Sequence, residues 1–320
     1  MNYIKMSPIV GMSGYGGGVT GLSFSGISVP KWEGSNGTIP GGGNPSNTAV
    51  INKFNIASDG NASDHGDLTV ARNALASCGG EGRGISGGGH ASVNRDYIDY
   101  FSFSSAGDAS DFGDLTVARN ALGACCDAFR AVFVGGDDGS VSNHMDYINV
   151  ANTANAADFG DYSISTSAIG CVNDATRGIG IGGQIGGSSQ DDMNYWTIQT
   201  LGNSSSFADM STSRHYAAGC SNLTKALIAG GHQNMDEMEH ITVQSASNGT
   251  DFGDLTVGRR ALGSCGSSAD DRGCWGGGQN NSSGSYYNII DRTSFSSPGN
   301  AIDYGDLTNS IQWTSGTSGD

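Results

Sequence analysis

Between Asp114 and Asp161 the chain alternates short apolar runs with polar, glycine-rich breaks. Residues 115–125 mix apolar and small side chains, as a strand packed on both faces does. Residues 130–136 read Arg-Ala-Val-Phe-Val-Gly-Gly, a short apolar strand ending in a double glycine. After a polar loop, residues 145–151 give a third strand of alternating character. Residues 155–161, Asn-Ala-Ala-Asp-Phe-Gly-Asp, close the unit with tight-turn residues and leave room for a short fourth strand. Four short strands joined this way predict one antiparallel blade.

The closing phrase recurs through the chain. Its second acid falls at Asp67, Asp114, Asp161, Asp209, Asp254 and Asp306, at intervals of 47, 47, 48, 45 and 52 residues. A period of that length is characteristic of propeller blades. The double glycines at 41–43, 87–89, 135–136, 182–183, 230–231 and 276–278 keep the same period. Backbone need, either positive φ or a close neighbouring chain, explains glycine there. A phosphate-cradling loop would need a following helix and a Lys-Ser/Thr pair, which this pattern does not supply. The last phrase, at Asp306, supplies only the first strand of a unit, and residues 38–64 supply the missing remainder. The chain therefore predicts an all-β fold: a six-bladed β-propeller over residues 37–320, its ring closed by pairing the N- and C-terminal segments. Residues 1–36 fall outside the repeat and read as a docking arm.

Composition narrows the functional classes. Glycine supplies 53 of 320 residues and charged side chains only 14%, yet apolar residues make up 36% and recur at fixed places, so a packed β protein is expected rather than a disordered chain. The net charge of −16 argues against nucleic acid as a partner, since a phosphate-backbone binder needs a basic patch. No apolar run suits a signal peptide or a membrane span, which places synthesis in the cytoplasm and predicts no membrane insertion. Cys78, Cys125, Cys171, Cys220 and Cys265 close related phrases, one per unit, and read as small buried residues rather than a disulfide framework; Cys126 and Cys274 stand outside that pattern.

A double-glycine strand, a strand bearing Tyr or Phe, then a turn and an Arg-led run is the kelch order, and the chain resembles that family across about residues 38–320. It lacks the usual Trp spacing after the Tyr strand. The phrase Asp-Phe-Gly-Asp-Leu-Thr-Val-Ala-Arg, nearly whole in three units, is similar to the kelch-like repeats of virion structural proteins in tailed bacteriophages of marine bacteria and cyanobacteria. That resemblance implies a non-enzymatic virion component, of the fibre, neck or surface type, made in the host cytoplasm. Its implied partners are other virion proteins, reached through the arm, and host-surface glycan; a homo-oligomer is compatible with it. A cellular or secreted kelch lectin-like module is the alternative, followed by a metal-dependent oxidase.

Candidate chemistry is sparse. Arg72, Arg119, Arg214 and Arg259 each stand five residues after the repeat Asp, with Thr166 and Ile311 breaking the series. A second basic series is Arg83, Arg130, Arg177, Lys225 and Arg272. Both series are expected to bridge blades by pairing with acids of the Asp-x-Gly-Asp turns. The functional alternative, similar to peptide-binding kelch domains, is a ring of guanidinium groups at one channel mouth, made asymmetric by the two breaks. Trp196, Trp275 and Trp313 are off-pattern and are candidate sugar-stacking platforms. The loops at 137–144, 184–192 and 279–286 are the most variable and the natural place for recognition. The acids of the repeat are spaced for turns rather than for calcium. The histidines at 65, 90, 144, 215, 232 and 240 show no metal-ligand spacing, so neither metal, cofactor nor catalytic set is expected.

Overall fold

The computed structural model describes residues 33–320, and every regular element among them is a β-strand. Six antiparallel sheets follow one another as blades, five of four strands and the fourth of five, because the short strand Gln184–Ile185 joins it. Blade three is typical: Gly123–Cys126 is its inner strand, followed outward by Arg130–Val134, Ser142–Asn149 and Ala157–Thr166. Blade one is built from both ends of the chain, with Thr317–Gly319 inside Asn36–Pro40, Val50–Asn55 and Ser63–Asp67. The register Thr38↔Thr317, Gly37↔Ser318 and Asn36↔Gly319 closes the ring as the split repeat predicts. The propeller takes in residues before 37: Asn36 is already in a strand, and Glu33 is buried, its carboxylate accepting from Ser268 in blade six. The arm expected over residues 1–36 otherwise lies outside the described residues.

Residues 115–125 are not one strand. Only Gly123–Cys126 is, and the preceding residues form a crossing segment from one blade's outer strand to the next blade's inner strand. Each crossing segment ends in a left-handed residue: Ala74, Ala121, Ala168, Tyr216, Ala261 and Trp313, with φ between 50° and 57°. These six form a closed circle of backbone hydrogen bonds. Ala121 donates to Ala74 (2.8 Å), Ala168 to Ala121 (2.7 Å), Tyr216 to Ala168 (3.0 Å), Ala261 to Tyr216 (2.9 Å), Trp313 to Ala261 (2.8 Å) and Ala74 back to Trp313 (2.7 Å). The double glycines brace the same end of the disc. Gly89 N donates to Arg119 O (2.9 Å) in the next crossing segment, and its counterparts Gly42, Gly136, Gly183, Gly231 and Gly278 do likewise. Both glycines of each pair have positive φ, and a Cβ on Gly88 would stand 2.7 Å from Arg119 O, so both expected reasons for glycine apply.

The repeat phrase is the outer strand, and the next blade covers its open edge. Gly113 takes φ 144°, and a Cβ there would meet the Ala154 backbone at 2.6 Å. Asp114 N donates to Asn155 Oδ1 (3.1 Å), and Ala156 N donates to Asp114 O (2.7 Å). Equivalent side-chain bonds run from Asp67, Asp161, Asp209, Asp254 and Asp306 to Asp108, Asn203, Asn248, Asn300 and Asn61. Outer strands are thereby removed as sites for edge-to-edge pairing.

Only the second basic series bridges blades; the first ties each crossing segment to the blade it enters, and the partners of both differ from those expected. Arg72, Arg119, Arg214 and Arg259 pair with third-strand acids, not with the repeat phrase: Asp99 at 2.7 Å, Asp146 at 2.6 Å, Glu239 at 2.8 Å and Asp291 at 2.9 Å. Thr69, Thr116 and Thr256 add their hydroxyls and amides to the three aspartates. Where Thr166 and Ile311 replace arginine, Asn194 and Asn52 stand in the place of the acid, so both charges disappear together. A lone buried charge is far costlier than a missing pair. The second series donates to carbonyls of the following blade: Arg83 to Val150, Arg130 to Ile198, Arg177 to Val243, Lys225 to Phe295 and Arg272 to Ile56. Lys53 completes the circuit on Phe103 O.

Apolar clusters fill the space between blades; one joins Ile85 and Ile98 of blade two to Phe133 and Ile148 of blade three. Each large apolar side chain buried so contributes about 1.5–3 kcal/mol. All seven cysteines are free thiols. Cys171 is one residue out of step with the others: Cys125 pairs with Val132, whereas in blade four Val172 takes that place opposite Ile179. Cys171 is consequently half-buried against the channel, while the other six are buried.

Two outcomes follow from this construction. Asp146→Asn alone strands Arg119 and should cost about 3–5 kcal/mol; adding Arg119→Thr, the combination blade four uses, should recover most of that loss in a urea-denaturation double-mutant cycle. Deleting residues 316–320 removes the inner strand of blade one, and should replace a single cooperative unfolding transition by aggregation detectable on size exclusion.

Candidate functional site at the channel mouth

The hydrogen-bonded circle of left-handed residues frames one end of the central channel, around a cavity of about 100 Å³. Four of its six members are alanine. Tyr216 and Trp313 are the two large side chains, separated in the circle by Ala261, and both line the cavity. The loops at 137–144, 184–192 and 279–286 rise around the same end, because backbone bridges tie Asn120 to Asp137, Ser167 to Gln184 and Arg260 to Gln279. The mouth is therefore pseudo-sixfold in backbone and one-sided in side chains.

The residue before each left-handed position forms a surrounding polar ring: Asn73, Asn120, Ser167, His215, Arg260 and Gln312. Arg260 is its one arginine or lysine. Its guanidinium lies over the Tyr216 ring at 5.3 Å and donates to His232 Nδ1 at 3.4 Å. No carboxylate pairs with it among the described residues. With Nδ1 accepting, His232 carries its proton on Nε2. The His232 ring stacks on His215 at 4.3 Å and 20°, and His215 in turn meets Tyr216 at 5.0 Å and Ser189 Oγ at 2.8 Å. Burial, then the neighbouring His232, then Arg260, push the His215 pKa down to about 4. Burial and Arg260 also lower that of His232. Both rings are neutral at neutral pH, and Arg260 supplies the positive charge. Arg260 Nε, Trp313 Nε1 and the Gln312 Oε1 have no hydrogen-bond partner.

The residues singled out from the sequence end elsewhere, with one exception. Arg72, Arg119, Arg214 and Arg259 are at most 1% exposed and held in their ion pairs, so no ring of guanidinium groups opens at the mouth. The expectation is corrected by a local fact: the crossing segment lays each arginine inward onto its blade's third strand. Trp196 packs edge-on against Tyr162 at 6.3 Å, and Trp275 is fully buried with Nε1 donating to Ala218 O. Neither can stack on a sugar. Trp313 alone of the three stands at the mouth, half-buried. Ser189, His215, Tyr216, His232 and Arg260 escaped the sequence reading. Their signal was the exchange of Tyr216 and Trp313 for the alanine of the other units. No group of three or more metal-ligating side chains is assembled among the described residues. In comparisons with known proteins, no family model and no curated sequence matches the chain. Fold and mouth together define a six-bladed β-propeller with a one-sided polar and aromatic opening.

The depressed histidine pKa values carry a sign. The unfolded chain binds the His215 proton near pH 6.5 and the folded chain only near pH 4. Stability contributed by the neutral ring is full above pH 6.5 and is lost as pH falls toward 4. His215→Gln should flatten that part of the dependence, read as the change in urea midpoint between about pH 7 and about pH 4.5, relative to the parent protein.

Proposed function

We propose that the protein is a non-enzymatic structural component of a tailed-phage virion that presents its propeller mouth for adhesion to host-surface glycan. The single observation that carries this reading is the placement of the two ends of the disc. Asn36 pairs with Gly319, and the strand beginning at Asn36 runs toward Gly41 and Gly42 at the mouth. The described start and the end of the chain therefore sit opposite the mouth, together with the Glu33–Ser268 and Ser35–Asp320 contacts. A segment ahead of Glu33 docking into a neighbouring virion protein would leave the one-sided opening facing outward. The repeat phrase adds the resemblance to phage kelch-like proteins. The sealed blade edges suit a rigid scaffold carrying variable polar loops.

Cryo-EM of particles from the lysate that contains this chain tests the reading. Propeller density on a capsid, neck or tail, with the mouth outward and the residues ahead of Glu33 against a neighbour, is the expected result. Particles without it, and the chain recovered only as a free propeller, would favour a cellular binding module instead.

A further inference from the structure

The reading of the mouth as a recognition face leaves its ligand chemistry open, and the inference drawn here rests on that reading. We propose that the Tyr216–Trp313 side of the mouth takes a terminal acidic sugar, its carboxylate on Arg260 and His232 and its ring against the two aromatic side chains. The charge argument comes first. In a chain of net charge −16, the basic side chains of the two repeat series are held by acids or carbonyls. Arg260 belongs to neither series: its guanidinium lies over the Tyr216 ring and donates to a neutral imidazole at 3.4 Å, with no carboxylate paired to it among the described residues. A half-buried guanidinium in that condition is completed by an anion with two oxygens, since its fork of donors matches a carboxylate.

The donors beside it fit the same group. His232 offers Nε2–H, fixed in direction by the Arg260 contact on Nδ1 and by stacking on His215. Ser189 anchors His215 from below, so Ser189 and His215 are positioning residues. Trp313 and the part of the Tyr216 ring that Arg260 leaves uncovered line the cavity and supply the apolar contact that a pyranose ring's C–H face seeks.

Topology favours a sugar terminus over an acidic peptide. A peptide bound as an added strand needs an open sheet edge, and the outer edges here are covered by the next blade.

The test uses the full chain with methyl β-glucuronide and methyl β-glucoside as probes, followed by saturation-transfer NMR and titration. Preference for the glucuronide by roughly tenfold is expected, the loss of one charge-assisted hydrogen bond. Arg260→Gln should abolish that preference, and Arg260→Lys should retain part of it. Equal binding of both probes, or a short acidic peptide binding where the glucuronide does not, would overturn the proposal. Host-cell adhesion separates it from the reading it rests on. Loss of adhesion in Trp313→Ala with none in Arg260→Gln sinks the acidic-sugar inference and keeps the recognition face. Undiminished adhesion in both sinks the two together. The wild-type comparison of the two probes needs no variant to fold.

Discussion

The structure depends on one closed circuit: six backbone hydrogen bonds passed from Ala74 through Ala121, Ala168, Tyr216 and Ala261 to Trp313 and back. Each member must adopt a left-handed backbone to donate to the preceding blade. For a residue with a Cβ that conformation costs roughly 1–2 kcal/mol. The strain is tolerated because each residue has neighbours on both sides that hold it there, and no member is terminal. A circle also fixes blade number. Removing or adding a unit would break the bonds at both its ends.

Around this circuit the blades are joined by further rings of different chemistry. Glycine amides meet the crossing segments near the mouth, and basic side chains meet carbonyls at the far end. Asn and Asp side chains seal the outer rim. Apolar clusters occupy the wedges between. Such redundancy lets individual positions drift without opening the ring. Blades one and four show it: each lacks the buried ion pair, and Asn52 accepts from Thr308 where blades two, three and six use an aspartate. Losing both charges at once spares the interior an unpaired ion.

Side-chain symmetry is broken at the mouth, where exchange disturbs the backbone least. A side chain on the left-handed residue points into the mouth without disturbing the backbone circle. Alanine can therefore become Tyr216 or Trp313 at little structural cost. The adjoining ring position tolerates Asn, Ser, His, Arg or Gln for the same reason. The scaffold supplies position and rigidity, and a few exchanged side chains supply chemistry.

Much of the architecture was legible along the chain. The phrase spacing carried six blades, the double glycines carried strand ends, and the incomplete first and last units carried ring closure. These are local or periodic facts, set by backbone conformation and by side chains that must recur in every blade. The series from Arg83 to Arg272 was legible as blade bridges, but the arginines at 72, 119, 214 and 259 hold the blade they enter, and their partners were not legible. Asp99 lies 27 residues beyond Arg72 on another strand, and only folding brings the two within 2.7 Å. The mouth was hidden for the same reason. Ser189, His215, His232 and Arg260 come from separate segments of two blades and their crossings, and only folding brings them beside Trp313, which stands where other units have alanine. By itself the sequence determined the repeat, its strands and their number, because periodic spacing encodes a periodic backbone. Which side chains meet, which arginine lacks a counter-ion and which tryptophan reaches the mouth were decided only by tertiary structure, because those facts depend on distance in space.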